Sequence, residues 1–364
     1  MRFLTLVCLL AQIRADETVV FYPSFSYEHP TTEQWEGYIH GVIYEPEKGS
    51  WWRWGVIAMV GRTLHIPAGS PEAQILQERL WQFLADGERG KEIRVRLGDR
   101  TVSAGISGPD GYFRSWVRIS AAEARRLATQ PGGWIRYTAL LPSGDSRILE
   151  GRMQLIGPKG LSIISDIDDT IKHTQMLDAH QMLLNSLVRP FRPVEGMAEL
   201  YQEAAKRGAV VHYVSASPWQ LFVPLEEFRQ KTGFPAGSFH LQQVRFDPGA
   251  LAQIFSGPKD FKITQITQIL KLFPQRRFIL VGDSGQQDPE VYGELARKYP
   301  QQVVAIWIRN ITSEPANSPR YQKAFAQLPP SVAKVFENPE ELRPELKRIL
   351  VTVSQTIPPS EVKP

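Results

Sequence analysis

Five short apolar runs, Leu161–Ser165, Ala209–Val214, Ser238–Leu241, Phe278–Val281 and Val303–Ile308, most constrain what this chain can fold into. Amphipathic stretches of helical spacing lie between them, at Met197–Arg207, Trp219–Lys231, Phe261–Phe273 and Pro289–Lys298. Continuous apolar strands alternating with one-sided helices are the pattern of a parallel sheet covered on both faces. The expectation is a doubly wound α/β domain over residues 159–318.

The preceding stretch is different. Glu92–Leu97, Tyr112–Ile119 and Trp134–Leu140 alternate apolar with polar residues between turn signals such as Gly108-Pro109-Asp110-Gly111. That is the period of half-buried antiparallel strands, so residues 16–158 are expected to form a β-rich, sandwich-like domain. Pro71–Ala85 is an exception, with Ile75, Leu76, Leu80 and Phe83 at helical spacing behind a Ser70 cap. The aromatics Trp51, Trp52 and Trp54 suit either a sugar or lipid surface or, as the commoner role, core packing. Residues 319–364 read as a helix over Pro339–Val351 and a flexible tail.

Met1-Arg2 precedes an apolar run, Phe3–Leu10, and Ile13-Arg14-Ala15 follows, which has the layout of an export signal over residues 1–15. This predicts a periplasmic or secreted protein. The run is too short to span a bilayer. The only cysteine, Cys8, lies within it, so disulfides cannot report the redox compartment. Basic and acidic residues number 42 and 38, without a basic block, which gives nucleic-acid binding no support.

Chemistry concentrates where three of the strands end. The first run leads into Asp166-Ile167-Asp168-Asp169-Thr170, the second into Ser215-Ala216-Ser217-Pro218, and the fourth into Gly282-Asp283-Ser284 with Asp288 beyond. Lys259 and Lys262 stand near the opening of an intervening helix. Ligands of open parallel sheets bind at these strand ends. Clustered carboxylates need a cation, a proton or a phosphoryl group to tolerate one another. Carboxylates, hydroxyls and a lysine together supply what phosphoryl transfer needs. Each element also has a plainer role: Asp169 or Thr170, the serines and Asp288 as helix caps, and the lysines as solvated charges. His173, His180, His212 and His240 show no zinc spacing, and there is no G-x-S-x-G elbow.

At these residues the chain resembles the haloacid dehalogenase superfamily of phosphohydrolases. More closely, Ser165-Asp166-Ile167-Asp168-Asp169-Thr170-Ile171-Lys172, Tyr213-Val214-Ser215-Ala216-Ser217-Pro218-Trp219-Gln220-Leu221 and Val281-Gly282-Asp283-Ser284-Gly285-Gln286-Gln287-Asp288-Pro289-Glu290 are similar to the phosphatidate phosphatase catalytic domain named for the actin-patch protein of yeast. The resemblance covers about Gly160 to Arg309 and implies a haloacid dehalogenase-like fold. It implies Asp166 as nucleophile, Asp168 as acid and then base, and Ser215 and Lys262 as phosphate ligands, Lys262 being preferred to Lys259. Mg2+ would be held by Asp166, the Asp168 carbonyl and Asp283, with Asp288 supporting the lysine or the metal. The implied substrate is phosphatidate or a related lipid phosphomonoester at a membrane surface. The alternatives are a phosphatase of soluble or protein-bound phosphomonoesters, or a non-catalytic cation-binding protein. The apolar residues of Gln175–Val188 are expected to pack on the sheet domain, with contact to acyl chains as the other reading.

Overall fold

The structure is a computed structural model and describes residues 12–32, 34–46, 49–255 and 259–355. Its strands and helices form two compact units, one holding the chain up to Gly49 with Ala85–Ile156, the other Ser50–Leu84 with the chain from Gly157 onward.

The first unit is the expected β-rich domain. Its strands are Thr18–Phe21 (β1), Ser24–Glu28 (β2), Gln34–Glu45 (β3), Asp86–Gly87 (β4), Glu92–Leu97 (β5), Arg100–Ile106 (β6), Tyr112–Ser120 (β7), Trp134–Ala139 (β8) and Glu150–Ile156 (β9). They hydrogen-bond into one sheet in the order β1-β3-β2-β9-β8-β5-β6, and β3 also pairs with β4 and β7. The alternation read from sequence sends Ile93, Val95 and Leu97 of β5 inward, where they pack with Ile39, Ile119 and Ile135. Burying these branched side chains on one face holds the strands in register.

The second unit contains a six-stranded parallel sheet: Leu161–Ser165 (β10), Val210–Pro218 (β11), Gly237–Gln242 (β12), Arg277–Asp283 (β13), Val303–Arg309 (β14) and Ala333–Phe336 (β15). The order β12-β11-β10-β13-β14-β15 reverses direction between β10 and β13, which is the switch point where α/β folds hold ligands. All of β10 is buried, including Ser162 and Ser165, as a strand covered on both faces requires. β15 was not expected, because four residues with no alternation carry no strand signal; it takes the sheet edge beside β14. It draws part of 319–364 into this unit, where sequence placed only a helix and a tail. That helix is present as a turn over Pro339–Leu342 and then Arg343–Gln355; residues 356–364 lie outside the described ones.

The larger departure is a helical hairpin, Trp51–Thr63 (α1) and Pro71–Leu84 (α2), between β3 and β4. Sequence placed residues 50–84 in the β-rich domain, yet they pack as part of the sheet-bearing unit. Arg79 of α2 is buried, donates to the Ser186 carbonyl at 2.9 Å and stacks 3.9 Å over the Phe191 ring. Phe83 meets Phe246. The α2 start follows the expected pattern, with Ser70 Oγ accepting from Ala73 N at 3.1 Å ahead of Pro71. α1 gave no sequence signal, since its aromatic and β-branched residues read as strand and its two glycines weaken a helix. Packing against α2, with Gly61 set close to Leu76, stabilises it instead. Among the described residues no helix is long and apolar enough to cross a membrane.

Candidate active site

Backbone register brings the three motifs together. Ser165 of β10 stands beside Tyr213 of β11 and Val281 of β13, so Asp166 follows β10 one residue short of the level of Ser215 and Asp283 on the neighbouring strands. Asp166 N donates to the Val281 carbonyl at 2.8 Å, which continues the ladder and fixes where the Asp166 carboxylate starts.

Asp166, Asp283 and Asp288 are all buried, and each offers an oxygen within 4.8 Å of the others. Lys262, on the helix Lys259–Leu272 (α7), reaches into this group with Nζ 3.1 Å from Asp166 and 2.5 Å from Asp288. Of the two candidate lysines it is therefore Lys262 that meets the carboxylates; the Lys259 side chain lies outside what is described. Burial by itself would strip the proton from Lys262, but Asp166, Asp288 and Asp283 outweigh it and hold the ammonium firmly charged. Asp288 opens the helix Asp288–Lys298 (α8) and its Oδ2 accepts from Asp283 N at 3.2 Å, so it is more than the cap that its place before Pro289 suggested.

One lysine does not balance three carboxylates. Burial, with Asp288 and Asp168 nearby, pushes Asp166 up to about 7 against the pull of Lys262. Burial, Asp288 and Asp166 push Asp283 well above the carboxylate range. Asp283 Oδ1 accepts from Gly285 N, whereas Oδ2 is buried with no hydrogen-bond partner. Leaving a buried acceptor unsatisfied is costly. An all-oxygen set with one orphaned carboxylate oxygen fits a hard cation, which would lower both values.

Gly282 is required by this crowding. A Cβ there would overlap Asp288 Oδ2 and lie 2.8 Å from its Cβ and Cγ. Gly282→Ala should displace Asp288, loosen its hold on Lys262 and cost about 1–3 kcal/mol of stability, read from a denaturant melt. An unchanged midpoint and slope would mean that Asp288 can retreat freely.

Asp168 faces away from the cluster. Its Oδ2 accepts from Ser217 Oγ at 2.6 Å and Ser215 Oγ at 3.1 Å; its Oδ1 meets Thr174 Oγ1 and Lys172 Nζ, each at 2.8 Å. Burial would raise it, but Lys172 and these hydrogen bonds prevail and hold it down at about 2. Lys172 and Thr174 had no role in the sequence reading; the signal available was that Lys172 closes the same motif as Asp166. Ser215 and Ser217 extend β11 rather than cap a helix, and both bind Asp168. Asp169 adopts φ +54° and its carboxylate accepts from the backbone of Thr174, Gln175 and Met176. It shapes the turn and does not cap the next helix, which was the plain role considered for it; Asp178 caps that helix. Beyond the turn Met182, Leu184, Leu187 and Val188 are buried in packing, with Leu177 exposed.

Residues 161–310 match the family model described as the catalytic domain of phosphatidate phosphatase APP1. The match covers less than half of this chain. Phosphatidate phosphatase APP1 of Saccharomyces cerevisiae is 31% identical over 213 residues, covering 57% of this chain and 36% of the relative. An uncharacterised protein of Schizosaccharomyces pombe is 29% identical over 187 residues, covering 50% and 30%. The chain thus spans about a third of the length of these curated relatives. A solved phosphoserine phosphatase in apo form aligns at 14% identity and TM-score 0.31, covering 50% of this chain and 97% of that one, and carries no argument at that level. The matched residues comprise β10 to β14, with every residue of the site among them.

The relationship corrects one expectation. A periplasmic or secreted protein was read from the first fifteen residues, whereas this relative is the yeast phosphatidate phosphatase, which is neither. The supposed cleavage segment is part of the β-rich unit: Ile13 is buried in its core, and Arg147 donates to the Arg14 carbonyl at 3.1 Å. Apolarity that read as a signal ending is used in packing. Phe3–Leu10 lies outside the described residues.

Proposed function

We propose that this chain is a magnesium-dependent phosphatase that hydrolyses phosphatidate or a related lipid phosphomonoester through an aspartyl-phosphate intermediate. The observation that carries this reading is the buried set of Asp166, Asp283, Asp288 and Lys262, with Asp283 Oδ2 left without a partner. A binding protein for a cation alone has no need of a lysine among the ligands. The family of residues 161–310 supplies the substrate class.

Asp166 is the nucleophile: a carboxylate oxygen bonds to phosphorus as the bond from phosphorus to the glycerol oxygen breaks. Lys262, held between Asp166 and Asp288, stands where it can neutralise phosphate oxygens. Asp166, Asp283 and the Asp168 carbonyl, with Asp288 behind, would hold Mg2+, which would supply positive charge to the same oxygens. Asp168 gives the leaving oxygen a proton, then takes one from the water that attacks phosphorus, and phosphate leaves with Asp166 restored. Held at about 2 by Lys172 and the Ser217 and Thr174 hydroxyls, Asp168 is ionised in the resting arrangement. Proton donation therefore requires substrate to draw Ser215, Ser217 or Lys172 away from it. A phosphoryl group is a competitor for those same donors, which is how Ser215 could serve both partners in turn.

The test is phosphate release from phosphatidate in mixed micelles, with Mg2+ and with chelator, beside a soluble phosphate ester. Release that needs Mg2+ and vanishes in chelator is expected. Hydrolysis of the soluble ester alone would discard the lipid substrate and keep the chemistry.

A further inference from the structure

Helix α1 has an apolar face that its own unit leaves open. Trp51, Trp52, Trp54 and Met59 are 84%, 46%, 44% and 42% exposed, and Gly55, Ala58 and Arg62 are exposed with them. At helical spacing these residues share one side of the helix, while Arg53, Ile57, Val60 and Gly61 form the buried side. A helix apolar on both sides, with one covered, has a second partner to account for.

Charge and position indicate which partner. On the exposed side of α1 the charged residue is Arg62, and no carboxylate occurs between Trp51 and Glu72 of α2. A surface of indole, thioether and guanidinium groups without acids complements an anionic lipid surface, where tryptophan settles at the headgroup level. The hairpin also adjoins the catalytic loops. α2 packs on Leu184–Val188, beyond the Asp168 turn, and on Trp219–Leu221, which follows the end of β11 carrying Ser217. Arg79 of α2 stacks on Phe191, and Lys172 Nζ lies 4.8 Å from the same ring while binding Asp168.

We propose that the exposed face of α1 docks on an anionic bilayer, laying Trp51, Trp52 and Met59 among the headgroups beside the site that takes a lipid phosphate. At thirteen residues the helix lies in the interface and does not cross it. This rests on the lipid phosphomonoester reading, and the hairpin stands as the element that presents the site to its two-dimensional substrate.

The experiment is cosedimentation of the full chain carrying Asp166→Asn, so that lipid is not consumed, with phosphatidylcholine vesicles containing or lacking phosphatidate. Binding to the phosphatidate vesicles is expected, with a blue-shifted tryptophan emission. Trp51→Ser with Trp52→Ser should weaken it by roughly ten-fold or more, the scale of losing one to two aromatic burials. Arg62→Glu, at an exposed position, should also weaken it, most at low salt. In the Asp166 background the same variants should keep hydrolysis of a soluble ester, which shows that they fold. No vesicle binding, as expected if α1 meets a protein instead, or binding equal in all variants, would overturn the proposal. Docking that persists with no phosphate released from phosphatidate by the unaltered chain supports the docking surface and overturns the substrate reading alone.

Discussion

Asp166→Asn, which replaces the proposed nucleophile, is expected to lower phosphate release by about 10⁴-fold or more while the protein stays folded. A neutral amide is a far weaker nucleophile than a carboxylate, and no other residue in the cluster would supply the proposed attack. Asn has the same shape and keeps an oxygen for Lys262, whose Nζ lies 3.1 Å away. The cation-free protein should not lose stability, because burial and the neighbouring carboxylates already resist the Asp166 charge. Its value rises from 3.8 unfolded to about 7 folded. The unfolded chain therefore releases this proton at lower pH than the folded one, and wild-type stability falls as pH rises from about 4 to about 7. Asn removes that slope. Single-turnover phosphate release and melts across this pH window, both with chelator controls, check the two halves separately. Activity within ten-fold of wild type would mean that Asp166 is not the nucleophile.

Lys262→Met has the largest expected effect on stability. The lysine is the only cation bonded to the Asp166, Asp283 and Asp288 cluster among the described residues, and its removal leaves three buried carboxylates facing one another. Breaking such a buried set by deleting one partner costs about 3–5 kcal/mol. A bound dication opposes the same repulsion, so the loss should be greatest in chelator and shrink as Mg2+ is added. A ligand at about a hundred times its dissociation constant returns about 2.7 kcal/mol. Thermal melts of both proteins against Mg2+ concentration measure this. A deficit that Mg2+ does not change would show that the carboxylates do not hold the ion. Turnover should fall as well, since the charge opposite the phosphate is lost even where Mg2+ restores the fold.

The strands of the catalytic sheet were legible because their signal is local. Leu161–Ser165 coincides with β10, and the other four expected strands fall within a few residues of β11 to β14. A strand buried on both faces is mostly apolar, with only small polar residues such as Ser162 and no charge, and that is visible in five residues. Asp166, Asp283, Asp288 and Lys262 were legible by the same logic, as polar residues that abruptly follow such runs or open a helix. Less local facts were hidden. β15 is a strand because β14 offers it an open edge, and α1 is a helix because α2 covers one side of it.

From the sequence alone come the two kinds of domain, the strand ends that carry chemistry and the residue types gathered there, all written in short-range periodicity and residue order. Tertiary structure decided that Lys262 enters the carboxylate cluster, that Asp168 turns from it toward Lys172, Thr174 and two serines, and that Trp51–Leu84 joins the catalytic unit. Each depends on which distant segment lies against a side chain once the backbone has closed. That partner sets burial, charge balance and exposure, and no local pattern encodes it.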